Sequence, residues 1–301
     1  MRLIKKGKVK EVYEVDDKEL EFLFTDNISV FDKIIPSKIP FKGETLCRTS
    51  AYWFRVAENL GMKTHFIKLI APNRLRVKRV DVIKDYKKIS NSSKNYLIPL
   101  EFVCRYYVAG SLFDRIKSGE IKPEGLGFEK NYEVKYGDKL PTPFFEVTTK
   151  LEKVDRELEL REALKMSGLS KEEYNEIKEI FLKIDEKMNE EVEQRGLIHV
   201  DGKKEFAFDE NRELMVIDTF GTADEDRFWD AEKYKEGKFV ELSKEFVRQY
   251  YRKIGYHDKL MDARKKGLPE PDILPLPREI IQKVSRLYID LFERITGEKL
   301  R

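Results

Sequence analysis

The chain has 301 residues, of which 59 are basic and 56 acidic, so its formal net charge is only +3. This balance argues against a nucleic-acid-binding protein, because nonspecific affinity for nucleic acid depends on a concentrated basic surface. The two cysteines exclude a disulfide framework, and no stretch approaches the roughly 20 apolar residues of a membrane span or the apolar core of a signal peptide, so we expect a cytoplasmic protein without a membrane partner.

The amino-terminal part of the chain predicts short strands and one helix. Alternating apolar and charged residues predict a strand over Val9–Val15, and a second apolar run predicts another over Leu20–Thr25. Leu46–Leu60 has helical spacing and is followed by Gly61. Further strands are predicted over Thr64–Ile70, Leu75–Ile83 and Tyr96–Ala109, the last interrupted by Pro99.

The carboxy-terminal part predicts longer helices around a pair of strands. Ser170 and Glu173 form a capping box, and a helical apolar pattern follows it as far as Val192, before Gly196. Strands are predicted over Leu197–Asp218, helices over Leu242–Ile254 and Pro277–Ile295, and a loop over Gly267–Pro277. We therefore expect a β-rich domain over residues 1–90 and a mixed α/β domain over residues 91–301.

The turn at Gly7–Lys10 is a candidate phosphate-binding element. Glycine lets a backbone approach a ligand closely, and Lys8 and Lys10 lie on the same face of an extended strand. Lysine supplies a point charge for phosphate. The alternative is an ordinary hairpin with solvated lysines, which the high lysine content of the chain favours when the motif is taken alone.

The segment Asp201–Asp218 predicts a hairpin with one charged face. A two-residue turn at Glu210-Asn211 would place Phe206 opposite Met215 on an apolar face, and Lys203 opposite Asp218 on the charged face. Glu205 would then lie diagonal to Asp218, and two such carboxylates suit Mg²⁺ bound to nucleotide phosphates. A three-residue turn would shift this register. The alternative is a solvated face with an ion pair between Lys203 and Asp218.

The segment Leu97–Ser111 combines an apolar strand with two charged residues. Glu101 and Arg105 share a strand face, and burial of a charge without a partner costs several kcal/mol. Arginine suits carboxylate or phosphate, and Gly110-Ser111 offers a backbone N–H and a hydroxyl to an anion. A buried structural Glu–Arg pair is the equal alternative.

Weaker signals complete the pattern. Asp26–Asp32 places polar residues after a strand end, where either a site or a capped turn fits. Arg227 follows an acidic loop and precedes two aromatic residues, so it would grip an anion or stack on a ring. The chain has three histidines, His65, His199 and His257. They show no zinc-binding spacing with the cysteines, so we interpret them as structural.

Taken in order, these segments resemble the SAICAR synthetase (phosphoribosylaminoimidazole-succinocarboxamide synthase) family of purine biosynthesis. Gly7–Tyr13 resembles the family's G-K-x-K-x-x-Y loop, and Ile98–Arg105 with Ala109–Ser111 matches its P-x-E-x-x-x-R…G-S signature. Further resemblances are Asp26–Asp32 to D-x-I-S-x-F-D, Thr148–Lys150 to T-T-K, Asp201–Phe206 to D-x-K-x-E-F, and Arg227–Trp229 to R-x-W. The chain departs from the family at Ala207, where glycine is usual, at Asp218-Thr219, where D-E is common, and in the loop before Arg227.

The resemblance implies a ligase that uses ATP, Mg²⁺, L-aspartate and carboxyaminoimidazole ribonucleotide (CAIR) and releases SAICAR, ADP and phosphate. It implies an α+β, two-lobed fold with a kinase-like, β-rich amino-terminal lobe and an ATP-grasp-like carboxy-terminal lobe. It leaves the oligomeric state open, a homo-oligomer included.

The resemblance also implies roles for individual residues. ATP phosphates would be held by Gly7, Lys8 and Lys10. The backbone of Leu97 would meet the adenine edge and Glu101 a ligand hydroxyl or amine. Mg²⁺ would be bound by Glu205 and Asp218, with Lys203 steadying the phosphoryl group or carboxylate. CAIR would be gripped by Arg105, Ser111 and Arg227. Asp32 and Lys150 would lie on the aspartate side.

Two alternatives come from other classes of protein. A kinase would share the glycine turn but should also carry an H-R-D-x-x-x-x-N loop, which the sequence lacks. An RNA-binding module would require a clustered basic face, which the balanced charge disfavours.

Overall fold

The structure is a computed structural model and describes residues 1–152 and 156–300. The amino-terminal part contains one long helix, α1 (Lys42–Asn59), and short strands. These strands are β1 (Arg2–Lys6), β2 (Lys10–Glu14), β3 (Glu19–Phe24), β4 (Asn27–Val30), β5 (Lys33–Lys38), β6 (Phe66–Ala71) and β7 (Arg74–Lys78). Five of them form an antiparallel sheet in the order β1-β2-β3-β7-β6, and β4 pairs with β5.

A second sheet belongs to the remainder of the chain. Its strands are β8 (Tyr96–Leu97), β9 (Leu100–Tyr107), β10 (Lys139–Thr149), β11 (Leu197–Phe208), β12 (Leu214–Ile217) and β13 (Arg227–Asp230). The helices are α2 (Gly110–Lys117), α3 (Leu160–Ser167), α4 (Lys171–Glu193), α5 (Ala231–Lys235), α6 (Glu245–Lys253), α7 (Tyr256–Lys266) and α8 (Arg278–Thr296). The main path is β10-β9-β11-β12, and both β8 and β13 also pair with β11.

One face of the second sheet is buried beneath helix α4. In β9, burial alternates along the strand, so Phe102 and Cys104 point into the core while Glu101 and Arg105 point away from it. Phe181 of α4 packs in the same core as Phe102. The predicted capping box begins α4, because the Ser170 hydroxyl accepts the N–H of residue 173 and the residue 173 side chain accepts the N–H of Ser170. The opposite face of the sheet is therefore left to charged side chains.

Helix α1 joins the two sheets through a shared core. The indole N–H of Trp53 donates to the Gly221 carbonyl at 3.0 Å, and the ring of Phe54 contacts those of Phe66 and Phe220. The strands separate into two sheets on either side of residue 90, but one apolar cluster spans both. The domain boundary near residue 90 thus stays a prediction.

Within the described residues, no helix is long and apolar enough to cross a membrane.

The strand around Pro99 shows what the local pattern could predict. The structure divides the segment at that proline into β8 and β9, as predicted. Helix α1 begins four residues earlier than predicted, and the predicted strand over Leu75–Ile83 ends at Lys78. Sequence analysis gave no prediction for β10 or β13, whose residues lack a simple alternating pattern.

The predicted register of the β11–β12 hairpin is wrong by one residue. Phe206 pairs with Val216, not with Met215, and the turn contains three residues between Asp209 and Glu213. Its last residue, Arg212, has a left-handed φ of 62°, as in a three-residue turn with a bulge. The Asp209 carboxylate fixes this turn by accepting the N–H groups of residues 211 and 213.

This register also separates two residues that were predicted to face each other. Strand β12 ends at Ile217, which pairs with Glu205, and Asp218 turns away with a φ of 61°. Lys203 therefore does not lie opposite Asp218, and no ion pair between them is present. The Met215 side chain lies on the charged side of the sheet in a small apolar cluster with Leu97, Ala207 and Ile217.

Candidate active site

Strands β9 and β11 position the central charged residues. In this antiparallel pair Asp201 lies opposite Arg105 and Lys203 opposite Val103, so alternate side chains of both strands project from one face. Glu101 and Glu205 lie further along this same face. The prediction that Glu101 and Arg105 share a face is confirmed, although each has its own partners instead of pairing with the other.

Lys203 lies among three carboxylates. Its Nζ atom is 2.9 Å from Glu101 Oε1, 3.1 Å from Glu225 Oε2 and 3.4 Å from Glu205 Oε1. Burial lowers the pKa of Lys203, but the attraction of Glu225, Glu205 and Glu101 outweighs burial and holds that pKa well above its ordinary value. Lys203 is therefore a fixed positive charge at the centre of the face.

Glu205 is the most buried carboxylate of this group. It forms ion pairs with Lys150 and with Lys203. Burial alone would raise the pKa of Glu205, but Lys150 and Lys203 lower it to about 2, so the carboxylate stays ionised. Lys150 is also 3.7 Å from Glu101, so this lysine, which was predicted on the aspartate side, lies within the carboxylate cluster.

Lys10 brings the first sheet into contact with this cluster. Its ammonium donates to Asp218 Oδ1 and lies 4.4 Å from the centre of the Phe22 ring. Burial lowers the pKa of Lys10 to about 7, although Glu205 and Glu225 attract the charged form. Of the two predicted metal ligands, Asp218 thus contacts this amine directly, and Glu205 acts on it through its charge.

The glycine turn is tight, because the backbone of Gly7 lies close to the carbonyl of Lys10. The Gly7 N–H donates to the Lys10 carbonyl at 2.8 Å, and a Cβ at residue 7 would lie 2.8 Å from that oxygen. Lys8, next in the turn, extends to Asp32, with 2.5 Å between Nζ and Oδ1. The Lys8 contact holds the pKa of Asp32 below its ordinary value. Lys8 and Asp32 are therefore neighbours at the outer edge of the site.

Two arginines converge beyond Lys203. The carboxylate of Asp201 lies 2.6 Å from Arg227 Nη1 and 3.6 Å from Arg105 Nη1. Arg105 also donates to the Ser111 hydroxyl at 3.3 Å. Gly110, at the start of α2, packs so closely on Arg227 that a Cβ would lie 2.6 Å from the guanidinium. The three residues predicted to grip CAIR are thus brought together.

Leu97 belongs to a small buried apolar cluster next to the charged cluster. Its backbone N–H already donates to the Asp81 carbonyl at 2.8 Å. Its side chain packs with Ala207, Met215 and Ile217, which continue the face that carries Glu205. The backbone N–H of Leu97 is therefore engaged within the chain, and its role toward adenine stays a prediction.

Several residues of the site were missed by the sequence analysis. Glu225 contacts Lys203. Glu146 of β10 forms an ion pair with Arg105, with 2.7 Å between Arg105 Nε and Glu146 Oε1. Asp224 is 2.8 Å from the buried Lys42 ammonium and 4.0 Å from Lys244. The run of three acidic residues before Arg227 was the one available signal for Glu225, whereas the other contacts join distant segments.

The carboxylates fit a magnesium–nucleotide complex. In the described part of the chain, no group of three or more His, Cys, Asp or Glu side chains could hold a metal by itself. Magnesium, however, takes only one or two protein carboxylates when phosphate oxygens and water complete its ligands. Glu205 and Asp218 are two carboxylates of this kind, and their binding of Mg²⁺ stays a prediction.

Comparisons with known proteins cover almost the whole chain. Residues 3–263 match the family model described as SAICAR synthetase. A phosphoribosylaminoimidazole-succinocarboxamide synthase of Thermoplasma acidophilum is 57% identical, over 99% of this chain and 100% of its own. The corresponding protein of Nitrosopumilus maritimus is 33% identical over the full length of both chains.

Solved structures show the same likeness. A SAICAR synthetase in complex with ADP has a TM-score of 0.71 and 28% identity, covering 99% of both chains. The SAICAR synthase of Saccharomyces cerevisiae in complex with SAICAR has a TM-score of 0.75 and 25% identity, covering 99% of this chain and 96% of that one. These matches confirm the predicted α+β class and do not support the kinase or RNA-binding alternatives. The chain belongs to the SAICAR synthetase family, which catalyses the ATP-dependent ligation of CAIR and aspartate.

Proposed function

We propose that the charged face of the second sheet is the place where this chain activates the CAIR carboxylate with ATP and joins it to L-aspartate. The observation that carries the proposal is the position of Lys203. This ammonium lies between carboxylates suited to a magnesium nucleotide and the two arginines that share Asp201. A phosphoryl group and the carboxylate that accepts it would meet at this charge.

The nucleotide would span the two sheets. Gly7, Lys8 and Lys10 are proposed to hold its phosphates, since the turn is closed tightly at Gly7 and Lys10 extends from it to Asp218, one of the proposed metal ligands. Leu97, the least buried of the four residues in its apolar cluster, is proposed to contact adenine, and Glu101 to accept a ribose hydroxyl or the adenine amine. Glu205 and Asp218 would hold Mg²⁺, which neutralises phosphate charge when bound.

CAIR would occupy the adjoining basic region. Arg105 and Arg227 are proposed to bind its phosphate and carboxylate, because guanidinium groups match both in geometry. The Ser111 hydroxyl, 3.3 Å from Arg105, would add a hydrogen bond to the same anion.

L-Aspartate would enter from the outer edge of the site. Asp32 is proposed to bind its amino group, since its carboxylate is exposed and held ionised by Lys8. Lys150 is the second residue proposed for this side; its contacts with Glu205 and Glu101 place it near the point where the two substrates must meet.

The chemistry has two steps. A CAIR carboxylate oxygen attacks the γ-phosphorus of ATP, the bond to the β–γ bridging oxygen breaks, and ADP leaves with that electron pair. The unprotonated α-amine of aspartate then attacks the acyl carbon, inorganic phosphate leaves, and the amine proton is released. The proposed contribution of Lys203, Arg105 and Arg227 is to orient these groups and stabilise the negative charge that develops on their oxygens.

Coupled ADP release tests this proposal directly. We expect ADP release only when CAIR and L-aspartate are both present with ATP and Mg²⁺, and we expect no turnover with glutamate or asparagine in place of aspartate. Lys203→Met should abolish release while ADP still binds, because the central charge is lost. Full turnover in that variant would remove Lys203 from the site.

We place the reaction in the cytoplasm, and the absence of a nucleic-acid partner stays a prediction.

A further inference from the structure

Three consecutive residues before and in β13 point alternately to the two sides of the second sheet. Glu225 faces the substrate side, where its Oε2 is 3.1 Å from Lys203 Nζ. Arg227 faces the same side and reaches Asp201 at 2.6 Å. Asp226, between them, points into the protein, and its side chain is fully buried. Asp226 thus points to the side opposite to that of its two neighbours.

Asp226 is fixed by contacts at both carboxylate oxygens and at its backbone N–H. Its Oδ2 lies 2.8 Å from His199 Nε2, its Oδ1 accepts the Gly221 N–H at 2.8 Å, and its own N–H donates to the Thr222 carbonyl at 2.9 Å. The other ring nitrogen of His199 lies 2.9 Å from the Asn189 side-chain oxygen on α4. Both ring nitrogens thus lie within hydrogen-bond distance of an oxygen atom, so the imidazole is held on both sides.

Glycine at residue 202 makes this arrangement sterically feasible. A Cβ there would lie 2.2 Å from Asp226 Oδ2 and 2.8 Å from His199 Nε2. The pairing of β11 with β13 is also irregular between His199 and Asp201, as expected where a strand is bent to re-aim its side chains. The backbone of β11 is therefore adapted to the buried pair.

We propose that the His199–Asp226 pair is a positioning pair that sets the directions of Glu225 and Arg227 for the ligation. This inference rests on the proposed function, in which Arg227 binds CAIR. A buried ion pair is a weak source of stability compared with apolar packing, so its value here is the single orientation that it imposes on the loop. Loss of the pair would leave Arg227 present but misaligned.

Asp226→Asn tests the proposal because it keeps the shape of the side chain and removes its charge. We expect the KM for CAIR to rise and kcat to fall by about 10- to 100-fold together, since small misplacements of a binding group cost that much. The matched control is Asp209→Asn. Asp209 is also a buried carboxylate with a cationic partner, Lys63, but it lies in the turn between β11 and β12, and neither of its sequence neighbours belongs to the site. It should leave both constants near those of the parent chain.

Two further substitutions separate positioning from folding. Gly202→Ala displaces the pair without changing any charge and should reproduce the kinetic effect in a protein whose thermal unfolding midpoint shows it to be folded. His199→Gln retains an N–H donor toward Asp226 and should keep more activity than His199→Leu. Equal losses in the Asp226 and Asp209 variants, tracking the unfolding midpoint, would overturn the proposal in favour of a purely structural role.

The same experiment distinguishes failure of the inference from failure of the proposed function. Arg227→Ala is measured in parallel with both asparagine variants. If this variant leaves the KM for CAIR unchanged, Arg227 does not bind CAIR and the proposed function fails at that residue. If it raises the KM while folded Asp226→Asn does not, Arg227 binds CAIR without the help of the buried pair, and the positioning inference alone is refuted.

Discussion

With Lys10 in the proposed nucleotide site, we expect its protonation to couple nucleotide binding to pH. Burial lowers the pKa of this amine from 10.5 to about 7, and the attraction of Glu205 and Glu225 only partly offsets burial. At pH 8 an amine with a pKa of about 7 is about one-tenth protonated. Contact with a triphosphate favours the ammonium form, so we expect nucleotide binding to take up about 0.9 proton at pH 8 and only about 0.1 proton at pH 6.

Titration calorimetry in two buffers of different ionisation enthalpy measures this uptake. Magnesium ATP is titrated without CAIR and aspartate, so that binding is seen without turnover. Lys10→Arg keeps the positive charge but stays protonated at both pH values, so the Lys10 contribution to uptake should vanish. Lys8→Arg is the matched control, because Lys8 lies in the same turn but is half exposed and should leave the uptake unchanged. Equal proton uptake at pH 8 in the parent and Lys10→Arg would refute the reasoning.

Three further predictions concern the anion site and the buried carboxylate. Arg105→Ala should lower kcat/KM for CAIR by about 100-fold with little change in ADP affinity by equilibrium binding. Gly110→Ala should raise the KM for CAIR because its Cβ would meet Arg227; Gly119→Ala, also at positive φ but with open space around it, should not. Glu205 has a pKa of about 2, below its ordinary 4.5, so it contributes up to about 3 kcal/mol of stability that is present above pH 4.5 and lost toward pH 2; urea unfolding of Glu205→Gln should be less pH-dependent there.

Local sequence patterns predicted the elements that depend on local interactions. Proline at residue 99 divides an apolar run into two strands, and Ser170 with Glu173 begins α4, because both effects act within a few residues. The shared face of Glu101 and Arg105 follows from the two-residue period of a strand. These parts of the fold required no knowledge of distant contacts.

The remainder depended on tertiary contacts that no local pattern shows. Arg212 adopts a left-handed φ because its guanidinium binds Glu173 and the Ser93 carbonyl, and this lengthens the turn and shifts the register. The contact of Lys10 with Asp218 joins residues 208 positions apart. A pairing of that kind cannot be read from spacing, so the partners of the site lysines were assigned wrongly for Lys203 and not foreseen for Lys10.

The positive charges of Arg105 and Arg227, which are proposed to bind CAIR, are already paired with carboxylates of the chain itself. Asp201 lies against Arg227 and near Arg105, and Glu146 lies against Arg105 on its other side. An incoming anion must therefore compete with resident carboxylates, and occupancy is an exchange of counter-ions. A singly charged ligand offers these guanidinium groups no more than the carboxylate it would replace, whereas a phosphate dianion offers twice the charge. We therefore expect the alternation of acid and base across this surface to make the site selective for doubly charged ligands.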